Sequence, residues 1–461
     1  MSIASRIRIN ENKISELLNI NGDKSRIWDI FNKALEMKGL DLEESAALLN
    51  IQDDETLEQL FKIAKQVKEN IYGSRIVLFA PLYLNNYCTN NCLYCGFRID
   101  NKEIQRKKLS VDEAIEETKA IINTGHKRIL LVAGEAASNG DLDYLEQVIG
   151  RIYDLKVTNG EIRRVNINIA PLSTEEFKRL ASFNVGTYQC FQETYHRETY
   201  SIMHPTGKKS NYDWRFEAMD RALESGLNDV GMGVLFGLTD YRFDTLALLM
   251  HSKRLDEKYG TGPHTLSIPR LEPAKGSDVS QNPKYAISDK DFKKIVAVLR
   301  LSVPYTGLIL STRERAEFRS EVIELGISQI SAGSKTNPGG YSDKNATEQF
   351  EVGDHRSLDE VIHELCQNKY IPSFCTGCYR SGRVGKDFMD LAKPGLIKRF
   401  CEPNAMLTFK EYLEDYASDE TKKAGLDVIK TCLSEITDSK LKSRIETQLS
   451  KIDQGERDIY I

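Results

Sequence analysis

Three thiols fall within eight residues in Cys88-Thr-Asn-Asn-Cys92-Leu-Tyr-Cys95, a C-x₃-C-x₂-C spacing. Thiolates are soft ligands that select zinc, copper(I) or iron–sulfur clusters. A structural zinc site closes with four ligands, and no fourth cysteine or histidine lies nearby. The set therefore fits a cubane cluster in which one iron lacks a protein ligand and stays open to a small molecule. Near the other end of the chain, Cys375-Thr-Gly-Cys378 and Cys401 give C-x₂-C-x₂₂-C, again three ligands. Zinc competes more strongly here, because a C-x₂-C pair often opens a zinc ribbon. Cys366 or a remote histidine would complete such a site. The preferred reading is an auxiliary iron–sulfur cluster with one open iron. Cys190, Cys366 and Cys432 stand singly among apolar neighbours and read as small buried hydrophobes.

Both sets need a scaffold. Residues from about 10 to 70 repeat apolar positions at helical intervals, as in Ile27, Ile30, Phe31, Leu35 and Leu60, Ile63, Ala64, Val67. From about residue 75, short apolar runs alternate with amphipathic helices. The strand candidates are Arg75–Leu84, Arg128–Gly134, Arg164–Ala170, Val185–Phe191, Asp229–Leu235, Thr265–Arg270, Gly307–Ser311 and Ile327–Ala332. Ser110 to Glu113, Ser173 to Glu176 and Ser357 to Glu360 open helices, the first two with capping-box spacing. Gly125, Gly226 and Gly326 stand where helices should end in a positive-φ residue.

Eight strand–helix units argue for an α/β fold, a (β/α)₈ TIM-type barrel; a partial six-unit barrel is the alternative. The expected division is an N-terminal helical extension over 1–72, the barrel over 73–340 and a C-terminal helical auxiliary-cluster domain over 341–461. Chemistry in such a barrel belongs at the C-terminal strand ends. Cys88, Cys92 and Cys95 follow the first strand, and Glu135, Gln192–Glu193–Thr194, Arg270 and Arg313–Glu314 fall just past others.

Composition narrows the setting. The 461 residues are 40% hydrophobic and 28% charged, ordinary for a globular protein. A net charge of −5 argues against a nucleic-acid surface. No apolar run approaches a membrane span, and the first residues, MSIASRIRINENK, lack the apolar core of a secretory signal. Nine cysteines, mostly at ligand spacing, then read as reduced and metal-bound in the cytoplasm.

The first cysteine segment resembles the radical S-adenosylmethionine (SAM) superfamily, flanks included. In that superfamily three cysteines hold a [4Fe–4S] cluster and SAM chelates the fourth iron. Tyr94 matches the aromatic residue placed beside the adenine. With both cysteine groups in view, the chain is similar to the HydG family of tyrosine lyases that mature [FeFe]-hydrogenase. The likeness includes APLYLNNYC at 80–88, LLVAGE at 130–135, FQETYH at 191–196, PHTLSIPR at 263–270, STRE at 311–314, ISAGSKTNPGGY at 330–341, and CTGCYRSGR with FCEPNAMLTFKEYL around the second site.

The resemblance implies a radical SAM lyase that cleaves L-tyrosine at Cα–Cβ to p-cresol and dehydroglycine. Dehydroglycine is then converted to carbon monoxide and cyanide, bound on iron at an auxiliary cluster for H-cluster assembly. It implies SAM, two [4Fe–4S] clusters and an additional labile Fe(II). The implied partners are a reductant such as ferredoxin or flavodoxin and other hydrogenase maturation proteins. Cys88, Cys92 and Cys95 would hold the SAM cluster, with Tyr94, Glu135, Glu193 and Arg215 about SAM itself; Arg221 competes with Arg215. Ala133-Gly134-Glu135 departs mildly from the usual Gly-Gly-Glu form. Arg313 would take the tyrosine carboxylate, with Ser331 nearby and Gln192 on the same rim. Cys375, Cys378 and Cys401 would hold the auxiliary cluster and His264 the extra iron, although 264 falls ahead of the apolar run that marks its strand.

Two rivals remain. A ThiH-type 2-iminoacetate synthase of thiamine biosynthesis would share the barrel and the tyrosine cleavage but has no need of the C-terminal cysteines. A non-catalytic iron–sulfur scaffold or carrier would explain both cysteine sets but not the rim of Glu135, Gln192, Glu193 and Arg313.

Overall fold

The computed structural model describes residues 9–20, 22–136, 141–158, 160–343, 348–393 and 397–461. Residues 1–8, most of the segment read above for a signal, lie outside it.

Eight parallel strands close into a barrel. They are β1 (Arg75–Asn85), β2 (Arg128–Ala133), β3 (Arg164–Asn168), β4 (Thr187–Gln189), β5 (Asp229–Gly233), β6 (Thr265–Ser267), β7 (Gly307–Leu310) and β8 (Gln329–Ser331). Neighbours follow chain order, and β8 pairs back onto β1 through Val77 opposite Gln329 and Phe79 opposite Ser331. The eight-unit reading holds and the six-unit alternative falls.

β1 is the long element. Its alternation sorts side chains by face: Ile76, Leu78, Ala80, Leu82 and Leu84 join the main apolar core, whereas Phe79, Pro81 and Tyr83 line a cavity at one end of the barrel and Arg75 and Val77 a second at the other. A further strand, β9 (Ile371–Ser373), adds outside the closed barrel, pairing Arg75 with Ile371 and Val77 with Ser373. Pro372 is tolerated because β9 has a partner on one side alone. So the chain read as a C-terminal domain contributes a strand to the barrel sheet.

The helices form for local reasons. Capping boxes close at Ser110–Glu113, Ser173–Glu176 and Ser357–Glu360. In the helix Asp54–Tyr72, Leu57, Leu60, Ala64, Val67 and Ile71 bury one face; each large aliphatic there contributes about 2 kcal/mol. Gly125 and Gly226 take positive φ after their helices. Gly326 does not: its φ of 163° is extended. Its need is closeness, since an added Cβ would meet Arg300 Cβ at 2.9 Å. No helix among the described residues is long and apolar enough to cross a membrane.

Candidate active site and second thiol centre

At the C-terminal mouth, the loop after β1 carries Cys88, Cys92 and Cys95 into a cavity of about 220 Å³. N–H groups point at two of the sulfurs. Asn90 Nδ2 donates to Cys88 Sγ at 3.7 Å, and Phe97 N and Gln349 Nε2 donate to Cys95 Sγ at 3.4 and 3.6 Å. Burial pushes the Cys92 thiol up to about 12, with Lys209 opposing. Gly134 is needed where it stands: a Cβ there would strike the Tyr87 carbonyl at 2.3 Å. That glycine lets the strand end of β2 close on the cysteine loop, and Thr89 N donates to Glu135 O at 3.0 Å.

Beside the thiols lies a buried charge quartet. Glu135 accepts from Arg215 Nη1 at 2.7 Å and from Asn90 Nδ2 at 2.8 Å. Glu193 accepts from Lys209 Nζ at 2.6 Å and faces Arg215 Nη2 at 3.8 Å. Burial would push the Glu135 carboxyl up, but Arg215, Lys209 and Asn90 prevail and hold it below its ordinary value. Burial and Arg215 draw the Lys209 amine down, yet Glu193, Cys92 and Glu135 together raise it. Glu193 sits at φ +71°, a left-handed conformation costly for a non-glycine residue. Tyr94 is buried below the quartet with its hydroxyl 2.9 Å from His204 Nε2.

Across the cavity, Arg313 lies over the Phe350 ring at 3.3 Å. No carboxylate pairs with it among the described residues, and burial draws its guanidinium below the usual arginine value, with Tyr83 and Glu272 opposing. Ser331 lines the same cavity, its Oγ accepting from Thr312 N at 3.2 Å.

The structure thus gathers Cys88, Cys92, Cys95, Tyr94, Glu135, Glu193, Arg215, Arg313 and Ser331 about one cavity. Gln192 is not among its lining residues; alternation puts Phe191 and Glu193 there instead, leaving Gln192 Nε2 buried and unpartnered. Arg221 is engaged elsewhere, donating to Leu172 O and Trp214 O from a separate short helix. Arg270 and Glu314 pair with each other, and Thr194 bonds Asp244. Sequence reading missed Lys209, Asn90, His204 and Gln349. Lys209 follows Lys208 in a polar stretch with no spacing that marks it.

The second thiol set occupies the opposite mouth, where the strands begin. Cys375, Cys378 and Cys401 line a cavity of about 60 Å³ with Arg75, Arg128, Asp229, His264, Tyr379 and Arg383. This resolves the awkward position of His264: a residue just ahead of β6 is at the N-terminal mouth. His264 Nδ1 stands 3.6 Å from Asp229 Oδ1, and its Nε2 is 3.4 Å from Tyr379 Oη. Burial holds the imidazole below its ordinary value, with Asp229 opposing. A hydrogen bond with Cys401, with help from Arg383, draws the Cys378 thiol down.

Arg75 Nε, Arg128 Nε, Arg383 Nε and Nη2, His264 Nδ1 and Asp229 Oδ2 are all buried without a partner. The unmet guanidinium N–H groups among these, from Arg75, Arg128 and Arg383, are costly to bury unless something anionic faces them. A thiolate-bound cluster, net negative with three cysteines, fits that need. Among the described residues no three His, Cys, Asp or Glu side chains gather closely enough for one ion.

Residues 82–250 match the radical SAM superfamily and residues 267–371 the Biotin and Thiamin Synthesis associated domain. A crystal structure of HydG, described as a maturase of the [FeFe]-hydrogenase, superposes with a TM-score of 0.96 at 50% identity, covering 98% of this chain and 99% of that one. HydG from Carboxydothermus hydrogenoformans gives 0.84 at 42% identity, covering 95% and 97%. The 2-iminoacetate synthase of Escherichia coli K12 is 34% identical over 350 residues, 76% of this chain and 89% of that enzyme.

Proposed function

We infer, from the premise that this chain belongs to the HydG family of the radical SAM superfamily, that it cleaves L-tyrosine at one mouth of its barrel and builds an iron-bound product at the other. The observation that carries this is the pairing of two thiol triads at opposite ends of one barrel, with a carboxylate-seeking arginine in the cavity at the first.

At the first mouth, Cys88, Cys92 and Cys95 would hold a [4Fe–4S] cluster, with Glu135, Arg215 and Glu193 positioned for the amino, carboxylate and ribose groups of SAM and Tyr94 for its adenine. Once reduced by one electron, that cluster and SAM supply a 5′-deoxyadenosyl radical. Arg313 would grip the tyrosine carboxylate, because its planar fork matches that group and no carboxylate among the described residues pairs with it. Ser331 stands on the adjoining strand end to finish that grip. The closed wall of Phe79, Leu130 and Ile309 beneath the cavity keeps water from a reactive carbon centre. Cleavage of Cα–Cβ then gives p-cresol and dehydroglycine.

At the second mouth, Cys375, Cys378 and Cys401 would hold the auxiliary cluster and His264 the labile Fe(II). Imidazole suits iron, and Asp229 beside Nδ1 would orient it, as carboxylates do for ligating histidines. Dehydroglycine breakdown to carbon monoxide and cyanide belongs at this end, the ligands being captured on iron for hydrogenase assembly. The 2-iminoacetate synthase reading shares the first mouth, but that relative leaves about a quarter of this chain unmatched, whereas HydG spans nearly all of it.

The test is carbon monoxide, trapped by a reduced haem protein from anaerobically reconstituted enzyme with SAM, tyrosine and dithionite. Carbon monoxide rising in step with p-cresol supports both ends. p-Cresol without carbon monoxide leaves a tyrosine lyase and removes the second half of the proposal; no 5′-deoxyadenosine at all would favour the scaffold.

A further inference from the structure

Two of the donors on the first thiol triad belong to the cysteine loop itself, Asn90 on Cys88 and Phe97 on Cys95. A third comes from 254 positions along the chain: Gln349 Nε2 donates to Cys95 Sγ at 3.6 Å. Tyr83 Oη donates to Gln349 Oε1 at 2.8 Å and so turns the amide NH₂ to the sulfur. The reversed amide would set an oxygen against that sulfur, and a thiolate accepts but does not donate. Tyr83 is itself braced, edge-on to Phe97 with ring centres 6.1 Å apart. Gln349 N donates to Thr336 O at 3.1 Å. Its backbone lies so close to the cysteine loop that a Cβ on Gly96 would meet Gln349 O at 2.7 Å.

The next residue belongs to the substrate end. Phe350 lies against Arg313, whose guanidinium stands 3.3 Å from the ring centre. A little further on, Gly353 N and Asp354 N donate to Thr312 O at 2.8 and 3.1 Å. The backbone over 349–354 therefore runs from the cysteine loop to the residues just past β7. Tyr83, Cys95, Arg313, Gln349 and Phe350 all line the first cavity. One dipeptide thus touches a thiol of the proposed SAM cluster with its first side chain and the proposed grip on tyrosine with its second.

We propose that Gln349 and Phe350 couple the substrate site to the cluster site: Gln349 is a positioning residue that favours the reduced cluster through Cys95, and a carboxylate on Arg313 strengthens that bond through Phe350. Hydrogen bonds to the sulfurs help set the potential of an iron–sulfur cluster. One-electron reduction leaves more negative charge on those sulfurs, so a donor on Cys95 favours the reduced form. Arg313 meets no carboxylate among the described residues, and the Phe350 ring braces its plane. A bidentate carboxylate pins that plane, and with it the stacked ring and the adjoining amide of Gln349. A donor already ordered forms its bond at less entropic cost. By linkage, the reduced enzyme then holds tyrosine more tightly by the same factor. The inference rests on the first-mouth assignment above.

The test is a mediated dithionite titration of the reconstituted full chain, read by electron paramagnetic resonance with and without L-tyrosine. S-adenosylhomocysteine replaces SAM, so that nothing turns over and the signal it perturbs identifies the first cluster. Tyrosine should favour the reduced form about tenfold in the wild type, an upward shift of about 59 mV for one electron. Q349L keeps the bulk and loses the donor; it should favour the oxidised form about tenfold without tyrosine and lose most of the tyrosine response. Q349E, closer still in shape and also without a donor, should shift the same way and serves if Q349L takes up no iron. Y83F, which frees the amide, should lie between Q349L and wild type. F350L should keep the wild-type potential without tyrosine and lose the response. Potentials of Q349L and Q349E equal to wild type would overturn the tuning role. A full tyrosine response in Q349L and F350L would overturn the coupling and assign it to substrate charge acting through space. A wild-type chain that binds no tyrosine by calorimetry would instead remove the first-mouth assignment, whereas the shift of Q349L without tyrosine is read independently of it.

Discussion

Glu135 and Arg215, eighty residues apart, meet at 2.7 Å where neither side chain reaches much water. Their contact ties the end of β2 to a short helix that follows β4, and it sits against the cysteine loop through Asn90. Removing one charge from such a pair strands the other, with Glu193 at 3.8 Å as Arg215's remaining acid. Glu135→Gln is expected to cost about 2–4 kcal/mol of stability and to weaken SAM binding about 10- to 100-fold. Equilibrium dialysis of SAM and a denaturant titration check the two effects. SAM affinity unchanged in a destabilised variant would make Glu135 a strut and nothing more.

Arg313 is held by a ring rather than by an acid. With Phe350 on its face and no carboxylate partner among the described residues, its fork is the proposed grip on the tyrosine carboxylate. Arg313→Lys keeps charge but loses the fork, and Arg313→Gln loses both. The KM for tyrosine should rise about tenfold in the first and about a hundredfold or more in the second, with SAM binding unmoved. Steady-state p-cresol formation measures it. A variant with unchanged KM but lower stability would assign Arg313 to holding Phe350 and its loop.

The elements were legible where periodicity was long and the ends had chemistry. All eight barrel strands stand within a few residues of their expected places, because each is a short apolar run, buried on both faces as parallel strands are, set between amphipathic helices. β9 was illegible: Ile-Pro-Ser is too short to show a period, and its proline argues against a strand unless the edge is known. Within the site, cysteines at ligand spacing declared themselves, as did Glu135 and Arg313 at strand ends. Gln192 stands past the end of β4, where the chain turns Phe191 and Glu193 to the cavity and leaves Gln192 outside its lining. Lys209 was invisible because its neighbourhood in sequence is polar loop, while its neighbourhood in space is Glu193 and Cys92. That the two thiol sets lie at opposite mouths also could not be read, since it depends on β9 pairing beside the start of β1.

The two mouths should be separable by mutation. Cys375→Ala with Cys378→Ala removes two thiols of the proposed auxiliary centre at the strand starts, while the first cavity is lined by none of these residues. p-Cresol should persist near the wild-type rate and carbon monoxide should vanish. His264→Ala is the finer cut: the cluster absorbance should remain, with one iron fewer per chain and carbon monoxide reduced. Iron analysis, visible spectra and haem trapping read these outcomes. Carbon monoxide persisting in the double cysteine variant would remove the second centre from the reaction.

Lys68 gives a prediction that needs no cofactor. Its amine is fully buried, 4.2 Å above the Tyr370 ring, and has no hydrogen-bond acceptor among the described residues. Burial, with Arg300 adding to it, lowers its pKa to about 7. An unfolded lysine titrates near 10.4, so between about pH 7 and 10 the unfolded chain binds a proton that the folded chain does not. Stability then rises with pH across that window, and the cost of the buried amine is largest at and below its lower edge. Lys68→Met fills the same space without charge. It should add about 1–3 kcal/mol at pH 6.5, add much less at pH 9.5, and flatten the rise between them. Urea midpoints of wild type and variant at the two pH values measure this. Parallel pH curves for both proteins would show that the amine escapes to water or to an acid, contrary to the packing seen around Tyr370.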